Sequence, residues 1–132
     1  MTVVTLTLPL PPRQLSPNFR PRFWKEKADA VREYRFNTKV LGLKRRQEVG
    51  LAAPLTPPVT ADILFVVKDA RRRDLDNLLS SLKAGFDGMV DARLLEDDSS
   101  AKLRIGSLAA QPRRKSVNEP AHVHITLCGA EA

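Results

Sequence analysis

Two aspartates separated by one residue, Asp74 and Asp76, stand where a run of arginines gives way to a helical pattern, and Asp98 follows after that pattern ends. In extended backbone, side chains at positions i and i+2 point to the same side, so the first two carboxylates could converge on one cation. Mg²⁺ prefers oxygen ligands and is usually held by one or two carboxylates together with substrate phosphate. Lys83 could place an ammonium beside such a phosphate. The spacing therefore permits a metal-dependent site for a phosphate-bearing substrate.

The charge distribution favours that interpretation. The chain has a formal net charge of +7 and a sequence pI near 10.1. Half of its 22 lysines and arginines lie within residues 13–46, whereas nine of its 15 acids lie within residues 62–98. A basic surface attracts polyanions, and clustered acids inside it repel them unless a cation intervenes. This combination is typical of a Mg²⁺-dependent enzyme that acts on nucleic acid.

The same acids also allow a structural interpretation. Asp74 could cap a helix, Asp76 could complement the helix dipole, and Asp97 and Asp98 could be solvated turn residues. The protein would then be a non-catalytic DNA-binding protein that uses its basic face alone. A metal-dependent transferase or phosphatase with a D-x-D motif is a third class, which the short chain and the missing nucleotide-binding pattern disfavour.

Several other classes of function are not expected. No Gly-rich phosphate loop ends in Lys-Ser/Thr, so we expect neither NTP hydrolysis nor a nucleotide cofactor. His122 and His124 share one face of a predicted strand, but no Cys or third His completes a zinc site. No run of about 18 apolar residues could span a membrane. The N-terminus lacks the positive region of a signal peptide, and the lone Cys128 suits a reducing cytoplasm.

Hydrophobic spacing predicts the elements that must position these residues. We expect strands over residues 3–8, 61–67, 102–108 and 122–128, and helices over residues 24–46 and after Arg73 to about Val90. Trp24 should open the apolar stripe of the first helix, and Leu78, Leu82, Phe86 and Met89 should form that of the second. The proline-rich residues 9–17 should be extended and are a candidate for reaching a partner subunit. The order β-α-β-α-β-β predicts one α+β domain with a mixed sheet and two main helices over residues 1–132.

Three blocks of sequence resemble the RusA family of Holliday junction resolvases, which occur in bacteria and their prophages. The blocks are Arg-Arg-Arg-Asp-Leu-Asp-Asn-Leu at residues 71–78, Lys-Ala-Gly-Phe-Asp-Gly at residues 83–88 and Glu-Asp-Asp-Ser at residues 96–99. Leu-Pro-Leu-Pro-Pro at residues 8–12 also resembles the family. The similarity spans nearly the whole chain and is firmest in residues 71–99.

The resemblance implies a RusA-like structure-selective endodeoxyribonuclease that resolves four-way DNA junctions in recombination and repair. It implies that Asp74, Asp76 and Asp98 are catalytic residues that bind Mg²⁺, with Mn²⁺ as a substitute, and that Lys83 is the catalytic lysine. Ser80 is the alternative holder of the lysine position, because residues 77–83 are about one helical turn longer than in the family archetype. Arg93 stands where relatives often have a helix-ending Gly.

Paired cuts in two strands imply a homodimer with two sites. Clustered basic residues should hold the phosphates of branched DNA without reading its sequence. These residues are Arg20, Arg22, Lys25, Arg71, Arg72, Arg73, Arg113, Arg114 and Lys115.

Overall fold

The computed structural model of the protein describes residues 1–130. The helices and strands of this part follow one another as β1 (Val3–Leu8), α1 (Trp24–Val49), β2 (Val59–Val67), α2 (Leu75–Ser81), α3 (Lys83–Asp91), β3 (Leu103–Pro112) and β4 (His122–Cys128). The predicted α+β class with a mixed sheet is confirmed. The predicted second helix, however, is divided into α2 and α3.

The four strands form one sheet in the order β1-β4-β2-β3. β4 is antiparallel to both β1 and β2, whereas β2 and β3 are parallel. Parallel strands end at the same edge of a sheet, and the amide of Arg113 donates to the carbonyl oxygen of Val67 at 2.7 Å there. The two arginine-containing segments that follow β2 and β3 therefore start side by side.

The hydrophobic core lies against one face of the sheet, because alternate strand residues point to the same side. The buried strand residues include Val4, Leu6, Leu8, Ala61, Ile63, Phe65, Val123, Ile125 and Leu127. Leu82, Phe86 and Met89 are buried in the same core, as the sequence predicted for this stripe, and Leu78 is half-buried. In residues 1–130, no helix combines the length and the apolar character needed to cross a bilayer.

Small residues allow α1 and α3 to pack closely. A Cβ atom added to Gly88 would lie 2.6 Å from the carbonyl oxygen of Arg35 and 2.7 Å from Cβ of Thr38. The guanidinium of Arg35 also makes two hydrogen bonds to the carboxylate of Asp91, at 2.6 and 2.9 Å. This contact fixes α3, and with it Lys83, relative to the first half of α1.

The N-terminal third of the chain differs from its sequence prediction in two ways. The proline-rich residues 9–17 are not extended throughout, since Arg13–Leu15 form a 3-10 helix. The hydroxyl of Tyr34 donates to the carbonyl oxygen of Pro9 at 2.6 Å, and Leu15 is buried. Apolar side chains such as Leu15 thus attach this segment to the core, which its proline content alone does not predict. Trp24, expected in the buried stripe of α1, is 79% exposed. It is the first residue of α1 and extends beyond the core that the rest of the helix covers.

Candidate functional site

A break at Leu82 places Lys83 at the start of a new helix. Leu82 has φ −90° and ψ 0°, and its amide donates to the carbonyl oxygen of Leu79 at 3.0 Å. Such i→i+3 bonds tighten and end an α-helix. The side chain of Leu82 is completely buried, whereas that of Lys83 is 66% exposed. The break thus anchors α3 in the core and leaves the Lys83 ammonium at the surface.

Lys83 holds two carboxylates together. Its Nζ atom lies 2.8 Å from Oδ1 of Asp87 and 2.5 Å from Oδ2 of Asp98. Asp87 is four residues ahead on α3, where helix geometry brings side chains into contact. The hydrogen bonds to Asp87 and Asp98 raise the pKa of Lys83, and the hydrogen bond from Lys83 lowers the pKa of Asp98. At neutral pH this cluster therefore holds the charged ammonium of Lys83 against the charged carboxylate of Asp98.

The turn after α3 brings Asp98 back to the start of that helix. Arg93 has φ 62°, in the left-handed region, and the amide of Leu94 donates to the carbonyl oxygen of Met89 at 3.1 Å. These are features of a helix C-terminus that usually has Gly at the left-handed position. Arg93 therefore takes the conformation of a helix-ending Gly, and the buried Leu94 and Leu95 fix the turn to the core.

Two shallow cavities lie on either side of Lys83. One, of about 330 Å³, is lined by Ser80, Lys83, Asp98 and apolar residues that include Leu103 and Ile105. The other, of about 260 Å³, is lined by Lys27, Ser80, Lys83 and Asp87 among others. Ser80 lines both cavities, so it is next to Lys83 in space as well as in sequence. Of the two, Lys83 is the residue that contacts the acids.

A larger cavity, of about 540 Å³, lies between the N-terminal segment and α1. Its lining contains Glu26, Asp29 and Glu33. These carboxylates would repel phosphate groups, since like charges at short range are unfavourable. The smaller cavities beside Lys83 are therefore better candidates than this larger one for a phosphate-bearing substrate.

Asp74 and Asp76 stand at the start of α2, one turn or more before Lys83. Asp74 occupies the N-cap position with extended backbone, but its side chain makes no capping hydrogen bond. Asp76 already belongs to the first turn of α2. The i, i+2 rule for extended backbone, from which the convergence of the two carboxylates was predicted, therefore does not apply to this pair. Both are exposed, and within residues 1–130 neither carboxylate has a hydrogen bond or an ion pair. Asp76 and Ser80 are four residues apart on one face of α2, about 6 Å along its axis.

The three predicted metal ligands do not form one group. In residues 1–130, no three His, Cys, Asp or Glu side chains are arranged to hold a metal ion. Asp98 contacts Lys83 instead, because the turn after α3 returns to the start of α3 and not to the start of α2. The exposed carboxylates of Asp74 and Asp76 nevertheless fit Mg²⁺, which commonly takes one or two carboxylates and completes its shell with water and substrate oxygens.

The loop after β2 uses one of its three predicted DNA-binding arginines internally. Arg73 is only 20% exposed, and its guanidinium donates to the carbonyl oxygens of Asp69 and Arg71 at 2.9 and 3.0 Å. It also donates to Oδ1 of Asp69 at 3.1 Å. The backbone amide of Arg71, followed by the Arg73 side chain, lowers the pKa of Asp69. Arg73 thus shapes the loop, while Arg71 and Arg72 are exposed.

The loop after β3 adds positive charge at the same edge of the sheet. Arg113 is half-buried and donates to the carbonyl oxygen of Glu119 at 3.4 Å. The amide of Arg114 donates to Oε1 of Glu119 at 2.9 Å and lowers the pKa of that carboxyl. The side chains of Arg114 and Lys115 are exposed. We refer to the exposed residues Arg71, Arg72, Arg114 and Lys115 as the basic edge.

The third predicted basic group lies at the start of α1. Arg20, Arg22 and Lys25 are exposed and, within residues 1–130, make no ion pair. Lys27, in the first turn of α1, lines the smaller cavity beside Lys83. Lys27 and Asp87 were not predicted as site residues. The i, i+4 spacing of Lys83 and Asp87 was a signal that could have identified Asp87, whereas nothing in the sequence indicated Lys27.

No family model matches the chain. An uncharacterized protein of Xylella fastidiosa (strain Temecula1 / ATCC 700964) is 33% identical over 93 residues, which is 70% of this chain and 60% of that protein. The chain therefore spans less than two thirds of the length of this relative.

Proposed function

We propose that this protein is a Mg²⁺-dependent endodeoxyribonuclease of the RusA type that cleaves branched DNA, with four-way junctions as its substrate. The observation that carries the proposal is the contact of Lys83 with Asp98. It joins two of the three sequence blocks that resemble the RusA family, although neither block predicts the other's position. The remaining block, residues 71–78, places two exposed carboxylates at the start of α2, directly after three arginines.

The proposed mechanism divides the chemistry among four side chains. Asp74 and Asp76 would hold Mg²⁺, and Asp98 would position the ammonium of Lys83 through Oδ2. When bound, the metal ion polarises the scissile phosphate and lowers the pKa of an attacking water. Lys83 would stabilise the negative charge that develops on the phosphate, which is effective because its ammonium is already held in place by two carboxylates.

The basic residues would hold the DNA backbone around this site. The basic edge and the start of α1 offer exposed guanidinium and ammonium groups, which bind phosphates regardless of base sequence. Asp69 and Glu119 stabilise the two loops of the basic edge, because their carboxylates accept hydrogen bonds from the backbone amides of Arg71 and Arg114. Affinity for DNA should accordingly be high at low ionic strength and fall steeply with salt.

Junction resolution requires two cuts, so we further propose a C2 homodimer acting in the cytoplasm. One chain carries one Lys83–Asp98 cluster, and two copies are needed for paired cleavage. Light scattering at micromolar concentration should give about twice the chain mass of 14.7 kDa. A mass of one chain, both free and on a junction, would contradict the dimer.

The direct test uses a labelled four-way junction and a linear duplex of the same length. The proposed nuclease should release paired nicked products from the junction when Mg²⁺ or Mn²⁺ is added, and should leave the duplex largely intact. A non-catalytic DNA-binding protein is the second candidate, favoured by the absence of a three-carboxylate group in residues 1–130. That protein would retard the junction in a gel at every metal concentration without cutting it.

A further inference from the structure

Two aromatic side chains protrude into solvent where α1 begins. Phe23 is 71% exposed and Trp24 is 79% exposed. An aromatic side chain can bury about 150–250 Å², so leaving two of them in water forgoes a large stabilisation. Phe19, four residues earlier, is half-buried, and the guanidinium of Arg13 lies 5.9 Å from the centre of its ring. Among the aromatic residues of this segment, the exposure is therefore particular to Phe23 and Trp24.

The residues around this pair are positively charged. Arg20, Arg22 and Lys25 are exposed beside it, and Glu26 is the one acidic residue in the sequence from position 13 to position 28. Two such surfaces from two copies of the chain would repel each other, whereas a polyanion would be attracted. The partner that this charge favours is therefore a nucleic acid.

The pair also lies next to the candidate site. Trp24, Lys27 and Val31 are spaced i, i+3, i+7, so they share one face of α1. Lys27 and Val31 line the cavity of about 260 Å³ that Lys83 and Asp87 line from the other side. Trp24 is thus one helical turn, about 4.5 Å along the axis, beyond the wall of that cavity.

We infer that Phe23 and Trp24 form a stacking platform for unpaired bases of DNA, with Arg20, Arg22 and Lys25 binding the adjoining phosphates. Stacking of a base on an aromatic side chain contributes about 1–3 kcal/mol and tolerates any sequence, because every base has a π-face. Bases in continuous duplex are stacked on each other, whereas bases at a branch point or in a single strand are accessible. The inference rests on the proposed function for its choice of DNA but does not depend on cleavage.

Trp24 is the single tryptophan of the chain, so its fluorescence reports on the platform alone. The protein of residues 1–132 is titrated with single-stranded oligo(dT) without metal ion, and binding is followed in parallel by the anisotropy of a labelled strand. We expect Trp24 emission to be quenched in step with binding, and duplex of equal length to quench it less. Phe23→Ala and Trp24→Leu should each weaken single-strand binding roughly 5- to 150-fold, the range that corresponds to the stacking energy.

Phe36→Ala is the matched control, because Phe36 is a 62% exposed aromatic residue of α1 that lies about 18 Å along the helix axis from Trp24. It should bind single strands like the wild type. Binding without quenching, or equal affinities for Phe23→Ala and Phe36→Ala, would overturn the inference. A blue shift of Trp24 emission with rising protein concentration and no DNA would also overturn it, by assigning the pair to contact with a second copy. Quenching in a protein that cuts no junction would support the platform while contradicting the nuclease proposal.

Discussion

The Nζ atom of Lys83 lies 2.5 Å from Oδ2 of Asp98, across 15 residues of sequence that contain all of α3 and the turn after it. The same ammonium contacts Asp87 at 2.8 Å, so Lys83 binds one carboxylate within α3 and one after the turn. The contact with Asp98 depends on the left-handed conformation of Arg93 and on the burial of Leu94 in the core, whereas the contact with Asp87 follows from the i, i+4 spacing within α3. The proposed site is thus formed by a helix–turn unit whose geometry is set by buried residues.

Lys83→Gln should abolish junction cleavage while leaving junction binding nearly unchanged. Gln keeps a polar, unbranched stem that is one bond shorter, and it removes the charge that would stabilise the phosphate during cleavage, a loss of about 100-fold or more in rate. Lys102→Gln is the control, since Lys102 also pairs with a carboxylate, Glu96, at 3.2 Å. It should cleave normally. Rates for Lys83→Gln within a few-fold of wild type would assign the lysine role elsewhere, with Ser80→Ala as the next variant to measure.

The Lys83–Asp98 pair should contribute to folding stability only between the pKa values of its partners. The pKa of Asp98 is lowered from 3.8, so its contribution is present above that value and is lost as pH falls through the depressed pKa. The pKa of Lys83 is raised from 10.5, so its contribution is lost as pH rises through the elevated pKa. Because Lys83 is largely exposed, the pair should contribute about 0.2–1 kcal/mol.

Urea unfolding of the wild type and Lys83→Gln across pH tests this dependence. The difference in their free energies of unfolding should be constant from about pH 5 to pH 9 and should shrink towards both extremes. A difference that persists undiminished at pH 2 would show that Lys83 stabilises the fold by something other than its ion pairs.

Gly88→Ala should destabilise the protein by separating α1 from α3. The added Cβ atom would lie 2.6 Å from the carbonyl oxygen of Arg35, a backbone atom that cannot rotate away. Overpacking costs about 1–3 kcal/mol and is partly offset by the higher helix propensity of Ala, about 1 kcal/mol. Because the clash is with backbone, the cost should lie in the upper part of the overpacking range, for a net loss of roughly 1–2 kcal/mol in urea unfolding. Gln47→Ala on the exposed side of α1 should be neutral. A Gly88→Ala variant as stable as wild type would refute the close packing.

Replacing Arg71, Arg114 and Lys115 with Gln should weaken DNA binding at low salt and flatten its salt dependence. Each lost phosphate contact removes about 0.9 from the slope of log K against log salt concentration on duplex DNA. The triple variant should therefore lose between 2 and 3 units of slope, by this estimate of about 0.9 per contact. The measurement is fluorescence anisotropy with duplex or junction DNA at about 50–200 mM salt. An unchanged slope would exclude the basic edge from the DNA interface.

Local sequence patterns predicted much of the fold. The helical stripe that includes Leu82, Phe86 and Met89 is buried as expected, because its period matches the helix that carries it. β3, in contrast, continues to Pro112 beyond its predicted end. It is an outer strand exposed on both faces, so its sequence carries no alternation to mark its length. The break at Leu82 was equally hidden, since the apolar period runs through it.

The arrangement of the candidate site followed less from the sequence. Asp74, Asp76, Lys83 and Asp98 were identified by type and spacing, but spacing does not tell where a turn returns. That depended on the tertiary packing of Leu94 and Leu95, which brought Asp98 to Lys83. Trp24 was assigned to the core because its spacing matched, whereas α1 extends past the core at that end.

The central claim is that carboxylates at the start of α2 hold a catalytic metal ion, and Asp76→Asn tests it most directly. The substitution keeps the shape of the side chain and removes its charge, along with a repulsion towards phosphate. Cleavage of a labelled four-way junction and binding to it are measured with purified wild type and variant, with and without Mg²⁺. The account predicts Mg²⁺-dependent cleavage by the wild type, and a variant that binds the junction as tightly or more tightly but does not cut it. Cleavage by Asp76→Asn at close to the wild-type rate would contradict the claim.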